Sequence, residues 1–183
     1  MKRMFRALGE MEASSIVETQ LGLPEDLRDL IDQPRLVKLV FEALHVGDLG
    51  APRSLPGRVL PLGTPRILLT LLTYSYAIGL YSSEEIERQI LKDPQFRYLA
   101  AKSCPSGNDL RRFRRLNRDL VRHSLGCTLA AAWDLAINSA DRAFPDDSDL
   151  QEHPRDGFSA LFESAAELRI NRAAFADTMA LDD

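Results

Sequence analysis

The chain has little cysteine and little histidine, with two cysteines and three histidines among 183 residues. Cys104 and Cys127 stand in unlike surroundings, so they predict neither a disulfide framework nor a thiol-rich metal site. His45, His123 and His153 are far apart and lack metal-ligand spacing. We therefore expect no metal, no cofactor and a reducing compartment, the cytoplasm.

Long hydrophobic runs and catalytic motifs are also missing. No stretch approaches the roughly 18 apolar residues of a membrane span, and the opening MKRMFRALGEMEASS turns acidic before an apolar run of signal-peptide length. Neither a glycine-rich phosphate loop nor a nucleophile with an adjacent base is recognisable. These absences predict an untargeted soluble protein with no membrane partner, and they favour a protein that is not an enzyme.

An overall basic charge is absent as well, since 27 acidic residues outnumber 23 basic ones and the net charge is -4. The charge is nevertheless segregated along the chain. Residues 111–122 carry six arginines against the single acid Asp119, whereas the tail beyond Phe144 is strongly acidic. This split indicates a compact basic segment within an acidic protein.

Apolar residues make up 45% of the chain and recur mostly at helical spacing, with no strand pattern of any length. The sequence therefore predicts an all-α protein, a helical bundle with a helix-turn-helix-like unit and a C-terminal helical appendage. We expect a partner-dependent or flexible arm at residues 1–23, the helical domain at 24–143, and an acidic linker with a last helix at 144–183. Glycines and prolines crowd residues 45–63 and predict a long loop or hinge there.

The stretch RILLTLLTYSYAIGLY is apolar almost all round, so it predicts a buried central helix. Ser82 or Ser83 is expected to cap the next helix, which should stop near Asp93-Pro94. A short helix and the turn SCPSGND follow, and Ser106 or Asn108 can cap what comes after. The aromatic residues of this region are expected in the core: Tyr74, Tyr76, Tyr81, Phe96 and Tyr98.

An arginine-rich helix is predicted from Asp109 to Ser124. At 100° per residue, its apolar residues cluster on one side, and four arginines gather on the opposite side. Like charges at this spacing cost a few tenths of a kcal/mol, so a stripe of nearly pure arginine is unusual for a merely solvated face. The stripe consists of Arg111, Arg115, Arg118 and Arg122.

The residues alone allow two interpretations of this arginine stripe. Arginine matches phosphate and the guanine edge bidentately, which favours docking of these four arginines on duplex DNA, with base contacts from Asn108, Arg111 and Arg112 at the helix start. Alternatively, the arginines pair internally with the acidic tail or bind a protein partner. The acidic tail could also restrain DNA binding by competing for the same side chains.

Two strings, PRILLTLLTYSYAIGLYSSEEIERQILKDPQFRYLA and RRFRRLNRDLV, resemble the all-helical N-terminal DNA-binding domain of DDE transposases from bacterial insertion sequences. The resemblance covers roughly residues 60–125 and weakens back to about Leu36. It implies a helix-turn-helix character, with residues 83–102 supporting the fold and Asp109–Arg122 acting as the recognition helix in the major groove.

Full-length transposases of this kind carry a catalytic domain whose carboxylates hold two metal ions. After Asn138 the sequence predicts only an acidic linker and one helix, so we expect a non-catalytic, stand-alone or truncated relative that binds double-stranded DNA. It would act as a regulator or be a mobile-element remnant, and could form a homodimer or bind a transposase. The alternative is a protein-protein interaction module derived from a transposase fragment.

Overall fold

The structure, a computed structural model, describes residues 21–45, 51–55, 64–141 and 155–182. These ranges contain helices and no strand, which confirms the predicted all-α class. None of the described helices is long and apolar enough to cross a membrane. After a 3-10 turn at Leu27–Asp29, the helices in chain order are α1 (Gln33–Ala43), α2 (Thr64–Ala77), α3 (Ser83–Lys92), α4 (Pro94–Leu99), α5 (Gly107–Leu116), α6 (Arg118–Asp141) and α7 (Arg155–Asp182).

Some predictions fall partly outside these ranges. Of the predicted N-terminal arm, residues 1–20 are not described, while Leu21 and Leu23 are buried in the core. The described part of the predicted loop, residues 51–55, has no regular secondary structure. Residues 144–154, which the sequence predicts as the acidic linker, lie outside the described residues.

Helix α2 is the predicted central helix, and it is buried over most of its length. Leu71 and Leu72 have no exposed surface, and α1, α5 and α6 all pack against α2. The hydroxyl of Tyr74 accepts a hydrogen bond of 3.1 Å from Gln33 Nε2 on α1. Because a buried hydroxyl without a partner is costly, this bond lets a tyrosine occupy the core.

The helix caps around α3 follow the sequence prediction. Ser82 caps α3, and acids occupy the first turn of that helix. Asp93 ends α3 and begins α4, because its backbone N–H bonds to Gln89 O while its side chain accepts from the backbone N–H of Gln95 at 2.6 Å. Pro94 then takes the first position of α4, where a missing N–H costs nothing.

The predicted aromatic core holds for three residues and fails for one. Tyr74, Tyr76 and Phe96 are buried, and Tyr81 is partly buried. Tyr98 is 67% exposed, so its prediction as a core residue is wrong. Helix α4 has only six residues, and at 100° per residue its buried Phe96 places Tyr98 on the far side of the helix.

The predicted C-terminal helix is present as α7, and it packs along α6 in the most extensive helix-helix contact of the described chain. Trp133 on α6 meets Phe162 edge to face, with ring centroids 5.9 Å apart. The two helix backbones lie close at Gly126, where an added Cβ would be in ordinary contact with Glu163 Cα at 3.5 Å. Helix α7 thus contributes to the hydrophobic core.

Arg169 fixes α7 to the end of α2. Its side chain is fully buried, and its guanidinium donates to the backbone carbonyls of Pro24, Glu25, Tyr76 and Ala77 at 2.7 to 3.1 Å. Two of these carbonyls belong to the last turn of α2, where helix carbonyls lack partners within the helix. A buried cation therefore serves as the C-terminal cap of the central helix.

Candidate nucleic-acid interface

Helix α5 is the ordered first part of the predicted arginine helix, and its start is held firmly. Ser106 and Asp109 form a reciprocal capping box: Ser106 Oγ accepts from the Asp109 N–H at 3.2 Å, and Asp109 Oδ2 accepts from the Ser106 N–H at 3.1 Å. The N–H of Gly107 donates to Glu87 Oε2 on α3 at 2.7 Å. These bonds satisfy N–H groups at the helix start and dock it on α3.

The turn before α5 contains two residues in the left-handed backbone region. Ala101 has a φ of 47° and Lys102 a φ of 67°, which is unfavourable for residues with a Cβ. Ser103 stabilises the turn, since both its N–H and its Oγ donate to the carbonyl of Ala100, at 2.8 and 2.7 Å. The turn connects α4 to α5.

The inward side of α5 carries one arginine among apolar residues. Leu110 and Phe113 have no exposed surface, and Arg114 is 5% exposed. Arg114 Nη1 donates to the Tyr76 hydroxyl at 3.1 Å and lies 2.8 Å from Asp177 Oδ2. Burial raises the pKa of Tyr76 to about 12, although the positive charge of Arg114 opposes the rise. Arg114 is therefore a structural cation.

Asp177 of α7 is the other centre of this network. Its two carboxylate oxygens accept from the backbone N–H of Ser83 at 2.8 Å and from Ser83 Oγ at 2.7 Å. Arg111 Nη1 lies 3.8 Å from Asp177 Oδ1 and 3.4 Å from Glu84 Oε1. One buried carboxylate thus connects the start of α3, the inner side of α5 and the end of α7.

The outward side of α5 presents three of the predicted DNA-binding residues. Asn108, Arg112 and Arg115 are exposed, and their spacing of four and three residues puts them on one face of the helix. Arg115 makes no hydrogen bond or ion pair with any described residue. Asn108 Oδ1 accepts a hydrogen bond of 3.0 Å from Arg111 Nη2, so Arg111 borders this face while keeping its acidic partners.

The prediction of one continuous helix from Asp109 to Ser124 is wrong, because the helix is interrupted at Asn117. Asn117 leaves helical geometry with φ -121° and ψ 31°. Its Oδ1 accepts from the N–H of Arg53 at 2.7 Å, and its Nδ2 donates to the carbonyls of Arg53 at 3.1 Å and Phe113 at 3.2 Å. The side chain thereby fastens residues 51–55 beside the end of α5.

The interruption separates the last two predicted arginines from the others. Arg118 forms an ion pair with Glu167 and donates to Asn171, both on α7. Arg122 lies 3.4 Å from Asp119 within α6. The expected single exposed stripe is therefore wrong. The side chain of Arg111 is only 12% exposed, while those of Arg118 and Arg122 are 39% and 38% exposed and paired with acids. Arg115 is exposed.

The internal-pairing alternative thus describes part of the arginine set. Glu167 and Asp177 of the C-terminal helix do pair with arginines, and one of those is the buried Arg114, which the helical stripe did not include. Sequence reasoning also missed Arg53, which is exposed and held beside α5 through its backbone. Periodicity offers no signal for Arg53, because it lies in a breaker-rich loop.

Metal-binding groups of three or more histidine, cysteine, aspartate or glutamate side chains are absent from the described ranges. Cys104 is exposed and Cys127 half-buried, and both are free thiols. The carboxylates nearest to α5 are instead engaged in hydrogen bonds with Ser83, Ser106 and Gly107. They hold helices together at this surface.

Comparison with protein families matches residues 25–116, just over half of the chain, to the family described as Transposase domain (DUF772). The match runs from the 3-10 turn region through α5 and ends at Leu116, directly before the interruption at Asn117. No curated protein and no solved structure matches the chain. On the extent of the family match, the chain belongs to the transposase domain (DUF772) family.

Proposed function

We propose that this transposase-related protein binds duplex DNA through the outward face of α5 and performs no catalysis on it. In this proposal α3, α4 and α5 form a helix-turn-helix-like unit, and α5 enters the major groove as its recognition helix. The observation that carries the proposal is the exposed face of Asn108, Arg112 and Arg115 on a helix whose other side is fixed in the core.

The chemistry of this face fits DNA. Arginine can contact phosphate or the O6 and N7 edge of guanine bidentately, and asparagine can do the same with adenine. Asn108 lies in the first turn of α5, where recognition helices of this type approach the bases. Arg53 lies exposed beside the other end of α5 and extends the basic surface.

The firm attachment of α5 also supports the proposal. A contact face is most effective when its helix is already ordered, since binding then costs less conformational entropy. The capping box, the Gly107–Glu87 bond and the buried Arg114–Asp177 pair supply that order. Arg118 and Arg122 take a secondary role, because they lie on α6 beyond the interruption at Asn117 and not on the outward face of α5.

Fluorescence anisotropy with labelled duplex DNA, at about 50 mM and about 200 mM salt, tests the proposal. Arg112→Gln and Arg115→Gln together should weaken binding and flatten the dependence of affinity on salt by about one unit of slope for each lost phosphate contact. The control is Arg35→Gln, which removes one exposed charge from α1, outside the α3–α5 unit, and is compared with Arg115→Gln alone.

Two results would contradict this function. If the full chain shows no binding at the lower salt concentration, DNA is not its ligand, and the alternative of a protein-interaction module is favoured. If Arg35→Gln weakens binding as much as Arg115→Gln, the attraction is general electrostatics and α5 is not the contact face.

A further inference from the structure

A second basic feature lies away from the α5 face, in a cleft between three helices. The cleft is formed by the end of α1, residues 51 and 52, the first turns of α2 and the first half of α6. Its volume is about 260 Å³. This is ample room for a phosphate group and its bound water.

The charged side chains that line this cleft are all basic or able to become so. They are His45, Arg66 and His123, and no carboxylate belongs to the described lining. Such a lining is unusual in a chain with net charge -4. A concave site with one sign of charge concentrates ions of the opposite sign.

Among the described residues, the hydrogen bonds around the cleft leave some polar groups of the lining unengaged. His45 Nδ1 lies 2.6 Å from the carbonyl of Phe41, so Nδ1 carries a proton that it donates there, and Nε2 is the remaining ring nitrogen. The guanidinium of Arg66 makes no hydrogen bond or ion pair with a described residue. Ser124 adds a hydroxyl to the lining.

His123 is the most constrained of the three basic groups. Its Nε2 lies 3.6 Å from Cys127 Sγ, and its Nδ1 lies 3.8 Å from Glu163 Oε1 on α7. Glu163 does not itself line the cleft. We therefore assign the permanent positive charge of the site to Arg66 and a supporting role to the two histidines.

The first turn of α2 gives an independent reason to expect an anion. Helix N-termini carry a partial positive charge and usually hold acids in the first turn. Helix α2 has no acid in its first turn and has Arg66 there instead. Arg66 lines the cleft, so its charge adds there to the positive potential of the nearby helix end, and a bound anion would stabilise both.

The cleft is also connected to the α5 face. Ala51 and Pro52 line the cleft, and the backbone of Arg53 is hydrogen-bonded to Asn117. Leu55 lines a shallow pocket together with Arg112 and Arg115. A strap of five residues therefore joins the cleft to the proposed recognition helix, and a duplex that contacts one could extend to the other.

We infer that the cleft around Arg66 binds a phosphate group. Two sources share this chemistry, a free phosphate ion and a phosphodiester of bound DNA. Binding of a DNA phosphodiester rests on the proposed function, whereas binding of a free phosphate ion does not. Arg66 would bind bidentately, with the Ser124 hydroxyl as a neighbouring donor. His45 Nε2 and the His123 ring would add donors when those rings are protonated.

The first experiment titrates the full chain with inorganic phosphate and follows the histidine ring and arginine side-chain signals by NMR, with chloride at matched ionic strength as the blank. The expected result is a saturable shift at His45, His123 and Arg66. Arg66→Gln should weaken this binding about tenfold or more, since a charge-assisted bidentate contact is lost. The phosphate affinity of Arg66→Lys should lie between those of the wild type and Arg66→Gln. Arg35→Gln should bind phosphate as tightly as the wild type.

The second experiment measures DNA affinity of the same variants by anisotropy. If Arg66→Gln weakens DNA binding and flattens the salt slope by about one unit while Arg35→Gln does not, the phosphate comes from the DNA backbone. If DNA binding is unchanged but the phosphate shifts are lost, the ligand is a free phosphate ion.

A wild-type protein with no saturable phosphate shift overturns the inference, whatever the DNA result. So does an Arg66→Gln variant that titrates like the wild type. Because the phosphate titration contains no DNA, a protein that binds phosphate in the cleft and fails to bind duplex would refute only the proposed function.

Discussion

The guanidinium of Arg114 lies 2.8 Å from the buried carboxylate of Asp177 and joins the inner side of α5 to the end of α7. The same carboxylate accepts two hydrogen bonds from Ser83 at the start of α3. The acidic C-terminal part of the chain thus meets the arginine-rich part in the core. Arg115, one residue further on, stays exposed at the surface.

Asp177→Asn should destabilise the fold strongly, because it leaves the buried charge of Arg114 without its carboxylate. Breaking a buried pair in this way costs about 3 to 5 kcal/mol of unfolding free energy. Urea denaturation followed by circular dichroism would measure the loss. A second change, Arg114→Met, should restore part of the lost stability in the double variant, since it removes the stranded charge.

The matched control for this prediction is Asp119→Asn. Asp119 also pairs with an arginine, but its side chain is 83% exposed, so the change should cost less than about 1 kcal/mol. Equal losses for the two variants would mean that burial does not set the strength of the Arg114–Asp177 pair.

Stability should fall at high pH because of Tyr76. Burial raises the pKa of Tyr76 to about 12, above the value of 10.0 expected in the unfolded chain. Between these values the unfolded state loses the proton first, so the native state binds more protons and the free energy of unfolding decreases as pH rises. Each pKa unit corresponds to about 1.36 kcal/mol. The rise from 10.0 to about 12 therefore lowers the free energy of unfolding by about 3 kcal/mol in total.

Denaturation at a series of pH values from about 9 to about 12 would show this slope. Burial also raises the pKa of Tyr74 and Tyr81, so these residues add to the decrease. Tyr76→Phe should reduce the slope and lower stability at neutral pH, since Arg114 loses a hydrogen-bond acceptor. An unchanged slope in this variant would show that Tyr76 ionises freely in the folded protein.

Asn117→Ala should release residues 51–55 from the end of α5. The Asn117 side chain accepts a hydrogen bond from the Arg53 N–H and donates one to the Arg53 carbonyl. Without it, the free energy of unfolding should fall by about 1 to 2 kcal/mol. The hydrogen-exchange rate of the Arg53 amide should rise by more than the loss of global stability explains. An exchange rate that changes only in proportion to global stability would show that other contacts hold the strap.

Lys102→Gly should stabilise the protein. Lys102 adopts a φ of 67°, where a residue with a Cβ is strained by about 1 to 2 kcal/mol, and glycine is not. Part of the gain is cancelled by the greater freedom of glycine in the unfolded chain, leaving about 0.5 to 1 kcal/mol.

Lys92→Gly is the control for that change, because it introduces the same residue into the last turn of α3, where glycine should cost up to about 1 kcal/mol. Thermal denaturation should therefore move the two variants in opposite directions. A loss of stability in Lys102→Gly would show that the left-handed turn is held without strain.

The local features of this protein follow from the sequence alone. A stretch that is apolar almost all round predicted α2 as the central helix. Cap chemistry predicted boundaries at Ser82 or Ser83, near Asp93, and at Ser106 or Asn108, and the caps are Ser82, Asp93 and Ser106. These signals act over a few residues, between side chains and the backbone beside them. For the same reason the resemblance to transposase domains rested on residues of α2 to α5 and the start of α6, and the family match includes those up to Leu116.

Only the tertiary structure decided which arginines are available to a ligand. Helical periodicity extended the arginine helix through Asn117, but that residue is bonded to Arg53, 64 positions earlier, and the helix is interrupted there. Periodicity likewise cannot show that Arg114 and Arg118 meet Asp177 and Glu167, which are carried by α7. Burial and ion pairing are set by the chain segments that pack against a face, and those segments lie far apart in the sequence.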